Sequence, residues 1–355
     1  MVSAEDVNAP PPWSKTLAGY REPSFRRSTV EVAITALPFV GLWVVTAVLL
    51  HHGYWWGVVL TVPAAAFLVR LFMIQHDCGH GAFFLRRTTN DWVGRLIGVV
   101  TLTPYGQWRQ THAGHHAAVG NLHRRGIGDI RTLTVREYAA LSRWRRIGYR
   151  IYRNPIVLFG LGPAFLFLLQ NRVPINPFRE GWQAWLSPMT ANLAILAVGL
   201  LLTQIIGIGV LLAIQLPIAL LAATVGVWLF YVQHQFEETF WEEEKDWTHP
   251  EASLHGSSFY DLPEPLRWFT ANIGIHHVHH LSSKIPFYRL TEVLRMHPEL
   301  KTIGRLTLLT SLRCVPLVLW DEERRRLVSF REMKQNARAG GLLPIAGRAP
   351  APVAG

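Results

Sequence analysis

The sequence predicts an all-α polytopic membrane protein: two transmembrane helical hairpins (four spans), interfacial helices, and a cytoplasmic helical cap that holds a dinuclear metal site. Three observations predict it. Half of the 355 residues are hydrophobic and only 17% are charged, against about 25% in soluble domains. The apolar residues gather in runs near the ~20 residues a bilayer requires. Sixteen histidines are present, and nine of them fall in three clusters, eight at i,i+3 or i,i+4 helical spacing.

The first hairpin is read from Val30–Leu50 and Tyr54–Gln75, separated by His51-His52-Gly53. The second is read from Thr190–Ile214 and Leu216–Val232, with its turn at Gln215 and Pro217. Apolar stretches at Val93–Tyr105 and Ile156–Gln170 are short for spans and are expected to be re-entrant or interfacial; six spans would be the alternative. Thr134–Arg153 mixes Leu141, Trp144, Ile147, Tyr149 and Ile151 with arginines and reads as an amphipathic helix on the headgroups. Leu266–Ser283 is expected to be one helix carrying the third histidine cluster. Trp43, Trp55, Trp56, Trp92, Trp228 and Trp241 read as an aromatic belt. The domain organisation expected is a tail over 1–28, one membrane domain over 29–335 and a disordered tail over 336–355.

Charge sets the orientation. Neither hairpin turn carries Lys or Arg, whereas Arg86, Arg87, Arg109, Arg124, Arg125, Arg131, Arg143, Arg145, Arg146, Arg150 and Arg153 lie between the hairpins. Arg267 and Arg289 follow the second. Those segments and both termini are therefore expected in the cytoplasm. The formal charge of +11 is a topology signal with membrane lipid as partner; nucleic-acid binding is not implied. No cleavable signal peptide is read. Cys78 and Cys314 are the only cysteines, and both are placed on the reducing side, so no disulfide is expected. Arg70 lies near the cytoplasmic end of its span and is expected to snorkel.

The clusters are His76-Asp-Cys-Gly-His80, His112-Ala-Gly-His115-His116 and His276-His277-Val-His279-His280. Spacings of i,i+4 and i,i+3,i+4 put the outer imidazoles of each on one helix face. Eight donors exceed one coordination sphere, so the simplest account is two metals. Imidazole suits Zn, Cu, Fe and Ni. A histidine-rich metal pair suits oxygen activation better than hydrolysis, for which one metal with an open position is enough. Because each hairpin returns the chain to the side it left, all three clusters emerge on one membrane face.

The stretches HDCGHGAFF, WRQTHAGHHAAVGNLHRRGIGDI, YVQHQFEETFW and HHVHHLSSKIPFYRL resemble the histidine boxes and flanks of the membrane fatty acid desaturase superfamily, in particular the bacterial omega-6 (Δ12-type) acyl desaturases. The resemblance runs from about Arg26 to Arg325. It implies an enzyme with two iron ions that inserts a cis double bond into a long acyl chain. The substrate would be an acyl lipid or acyl-CoA, with O2 and two electrons from a ferredoxin or cytochrome b5-type donor. No haem segment is read in either tail, so the donor is expected to be a separate protein. A bacterial inner membrane is the expected location.

Carried over, the ligands are His76, His80, His112, His115, His116, His276, His279 and His280. His234, just past the fourth span, is the expected ninth, with His255 as its competitor. His277 is expected to point away, and His51, His52, His123, His249 and His297 to be structural or solvated. Asp77, Asp129, Glu237, Glu238 and Asp261 are candidates to hold the outer ring nitrogens; Asn272, one turn before His276, is a candidate to face the metals. Gly79, Gly81 and Gly114 read as points of close approach. A histidine-box hydroxylase or carotenoid oxygenase is the alternative enzyme. A metal carrier is disfavoured, because carriers place ionisable groups at the membrane midplane.

Overall fold

The computed structural model describes residues 13–126, 128–175 and 181–338. It is mainly helical, with four helices long and apolar enough to cross a membrane. The first hairpin joins α1 (Phe25–His51) to α2 (Thr61–His80), which is preceded by a 3-10 segment, Trp55–Leu60. Ser24 caps α1 by accepting from the Arg27 N–H. Gly53 makes the turn at φ 81°, a conformation that suits glycine. Next come the amphipathic α3 (Arg87–Val100) and α4 (Tyr105–Ala118). Beyond the loop after α4 are α5 (Arg143–Tyr152) and α6 (Gly162–Leu168). The chain bends by 60° between α5 and the apolar Val157–Arg172 segment, so that stretch is at most half of a broken span.

The second hairpin is α7 (Gln183–Ile206) and α8 (Ile208–His234). Its turn is at Gly207, φ 79°, and not at Gln215–Pro217. Pro217 lies inside α8; a membrane helix tolerates such a proline because neighbouring groups satisfy the freed carbonyl. Gln215 accepts from the Trp43 indole at 3.3 Å, which links the two hairpins inside the apolar layer.

α2 is the central helix: 56% of its apolar window is buried, against none of that of α7. α7 instead exposes Leu193, Leu196, Leu200, Leu201 and Ile205, the surface expected against lipid tails. Arg70 does not snorkel. It is buried, paired with Glu31 of α1, bonded to Thr35 at 3.2 Å and to the Trp268 carbonyl, and covered by the Trp268 ring at 4.0 Å. Glu31, at the start of the first span, is the buried carboxylate that holds Arg70 inside the protein.

The cap departs from the expected helices in three places. Among the described residues five short strands occur: β1 (Leu133–Thr134), β2 (Phe259–Asp261), β3 (Arg305–Thr307), β4 (Leu319–Asp321) and β5 (Arg326–Val328). They pair β1-β4-β5 and β2-β3. Thr134–Arg153 splits at Leu141, and Ser142 caps α5. Within α5, Arg146 turns to the Leu141 and Ala139 carbonyls and Arg150 to Tyr138, while Trp144 and Ile151 are exposed. Leu266–Ser283 is not one helix. After Leu266–Phe269 the chain takes positive φ at Ala271 and Asn272, and α9 (His276–Leu281) starts afresh, followed by α10 (Phe287–Met296). Trp241 is not in the belt either; it is buried in the cap against Trp320. From Trp13 the N-terminal segment packs onto the cap, with Leu17 fully buried and Trp13 and Tyr20 against His297. Residues 1–12 and 339–355 of the expected tails lie outside the described residues.

Candidate metal centre

Gly81 ends α2 at φ 65° and leaves His76 and His80 on its last turn. α4 supplies His112, His115 and His116, α8 ends on His234, and α9 supplies His276, His279 and His280. These nine imidazoles form two groups: His76, His80, His112, His116 and His279, and His115, His234, His276 and His280. Within each group the donor atoms lie within 4.8 Å of one another. α4 and α9 contribute to both groups, so the two are built as a unit.

For His76, His115 and His234, a partner on the outer nitrogen sets the tautomer. His76 Nδ1 donates to Asp77 at 3.2 Å, His115 Nδ1 to Asp129, and His234 Nδ1 to the Gly256 carbonyl at 3.0 Å. With Nδ1 protonated, each Nε2 turns a lone pair inward. The Nε2 atoms of His115 and His234 are 3.1 Å apart, and those of His276 and His234 3.0 Å. Lone pairs facing each other that closely repel unless a cation lies between them. Separations of 2.9 Å (His112–His76) to 3.2 Å (His279–His116) run through the five-histidine group as well. They match neighbouring ligands on an ion with bonds of about 2.1 Å. The donor set therefore fits two metal ions. Burial, and then the neighbouring imidazoles, hold His112, His116, His276, His279 and His280 well below the ordinary histidine range, so they are neutral and free to bind.

The other candidates are elsewhere. His255 is exposed and pairs with Glu251 at 3.6 Å. His277 bonds the Leu300 carbonyl at 2.9 Å and joins neither group; burial holds it at about 4. His123 meets Glu243, and His249 meets Ser253. His51 and His52 lie at the first hairpin's turn. Of the five carboxylates, only Asp77 and Asp129 are hydrogen-bonded to the clustered histidines; Glu237 pairs with Arg326, Asp261 with Arg305, and Glu238 is exposed. Asn272 bonds the Phe287 carbonyl at 3.2 Å, because no helical turn joins it to His276.

Three features support the ligands, and of the residues that build them only Gly79, expected as a point of close approach, is marked in the linear sequence. Trp108 lies flat on His112, 4.7 Å between centroids, and fits only because residue 79 is glycine: a Cβ there would stand 2.6 Å from the indole. Phe72, one turn deeper in α2, meets Trp108 edge-on, and Phe230, one turn deeper in α8, packs 5.0 Å from His115 and 5.1 Å from His234. Gly256 serves through a backbone carbonyl.

A family model described as fatty acid desaturase matches residues 53–305. A fatty acid desaturase of Bacillus subtilis is 44% identical over 321 residues, covering 90% of this chain and 91% of the relative. The chain belongs to the fatty acid desaturase family. Two Synechocystis relatives match this desaturase less fully. An sn-1 acyl-lipid omega-3 desaturase (ferredoxin) is 30% identical over 62% of the chain and 61% of its own length. An sn-1 oleoyl-lipid 12-desaturase is 27% identical over 63% of each. Membership makes this chain an oxidoreductase of membrane lipid metabolism.

Proposed function

We propose that this desaturase inserts a cis double bond into a long acyl chain carried on a membrane lipid, using O2 and two electrons from a separate ferredoxin or cytochrome b5-type donor. The single observation that carries the reading is the pair of histidine groups placed one helical turn above an aromatic floor of Phe72, Trp108 and Phe230. All nine histidines, His76, His80, His112, His115, His116, His234, His276, His279 and His280, would hold two iron ions. Iron bound there would supply the reduction of O2 and the removal of hydrogen from an unactivated C–H bond.

The chain's own groups do the rest. Asp77, Asp129 and the Gly256 carbonyl hold protons on the outer nitrogens, so the inner ones stay available as ligands. The aromatic floor keeps water from the membrane side and gives an acyl chain an apolar surface against the centre. Relatives named for acyl-lipid substrates support the lipid over acyl-CoA, and the one named with ferredoxin supports that donor class. The arginine-rich segments support a cytoplasmic centre, in a bacterial inner membrane, by the positive-inside rule.

Expression in a bacterial host without polyunsaturated lipid tests this. A new cis double bond in its membrane acyl chains, lost in His280→Ala, is the expected result. A hydroxylated chain instead would turn the reading to the hydroxylase, and no product with iron and a reductant supplied would sink it.

A further inference from the structure

Desaturation consumes protons and makes water: R–CH2–CH2–R′ + O2 + 2 H+ + 2 e− gives R–CH=CH–R′ + 2 H2O, the electrons coming from the one-electron carrier protein named above. On the membrane side, Phe72 and Phe230 present no polar group to carry either. On the cap side, a cavity ends on His115 and His234. It has 20 Å3 of space for water centres, more than the roughly 10–15 Å3 one water requires. Asn121, Gln235, Arg125 and Asp129 line it with polar groups, and Arg125 and Asp129 keep 19% and 18% of their side chains exposed.

The polar wall is held open. Arg125 is tied to Glu137 at 2.5 Å and to the Leu122 and Thr132 carbonyls at 2.7 and 2.9 Å. Gln235 Oε1 accepts from Thr132 at 3.1 Å and from the buried Arg153 at 3.0 Å. Neither side chain can swing inward without breaking these bonds. None of the five histidines of the first group lines the cavity.

We propose that this cavity is the aqueous passage of the centre, through which protons arrive and product water leaves on the side held by His115 and His234. The proposal rests on the desaturase reading. Its test reads access rather than turnover. Ala118 and Ile130 line the passage without belonging to either histidine group, so Ala118→Leu should narrow it and Ile130→Ala widen it. The iron-loaded full chain in lipid nanodiscs is mixed with azide, an anion slim enough to follow water, and its binding to the iron is followed by absorbance. Binding should slow in Ala118→Leu and quicken in Ile130→Ala, each by about tenfold, from equal starting iron and similar melting temperatures. Binding at the parent's rate in both variants overturns the passage and leaves the desaturase reading standing. A purified chain that holds no iron overturns both.

Discussion

His116 and His280 lie face to face, ring centroids 4.0 Å apart and planes 12° from parallel, although they belong to different histidine groups. The two halves of the centre therefore support each other through packed rings. Either ring replaced by methyl leaves its own group one ligand short and takes the stacking partner from the other. We predict about two irons per chain in the parent protein, and less than one in His116→Ala or His280→Ala, read by metal analysis. Retention of one full iron in either variant would show the groups to be independent.

His234→Ala should lose iron and product, because His234 is the α8 member of its group and contacts both His115 and His276. His255→Ala should keep both, since His255 is exposed and outside the groups. The opposite pattern would move the ninth ligand into the loop after α8.

His277→Ala should melt at lower temperature yet hold its iron. Removing the ring leaves the buried Leu300 carbonyl unpaired, a cost of about 1–3 kcal/mol. Iron loss equal to that of His280→Ala would contradict the assignment.

Asp129→Asn and Asp77→Asn remove the charge that orients His115 and His76. Iron affinity should fall by roughly 10–100-fold in each, measured by competition with a chelator. Asp77→Asn should also lower the melting temperature, because Asp77 accepts from the Phe287 N–H at 2.7 Å and so pins α10 to α2.

Glu31→Gln should destabilise the fold by about 3–5 kcal/mol, since it strands the buried Arg70 charge. Adding Arg70→Met to that variant should restore much of the loss. A double variant less stable than Glu31→Gln alone would show that the Trp268 contacts of Arg70 outweigh its charge.

How much was legible follows from where the information lies. The hairpins and the histidine spacings are local: an apolar run of span length, or two imidazoles four residues apart, has one main structural use. Pro217 misled because a proline that would end a soluble helix is accommodated in an apolar one, whereas Gly207 supplies the positive φ the turn requires. The third cluster misled for a different reason. Leu266–Ser283 has local helical character, but the Tyr260 N–H bonds the Gly274 carbonyl at 2.7 Å and Phe259 bridges Ile275, and this pairing breaks the helix. The short strands pair residues as far apart as Leu133 and Leu319, which no window along the chain can reveal. Arg70 was misjudged because its partner sits on another span.

Both histidine groups draw on α9, which follows all four long apolar helices in the chain. During synthesis, the first hairpin can insert long before His276 has been made. Neither group is complete until the ribosome has passed His280, so the site cannot assemble before both hairpins have been made. A prematurely terminated chain that stops between the hairpins would carry His76, His80, His112, His115 and His116 without their α8 and α9 partners. Occupancy of both groups would thus report that both hairpins and α9 had been made and brought together.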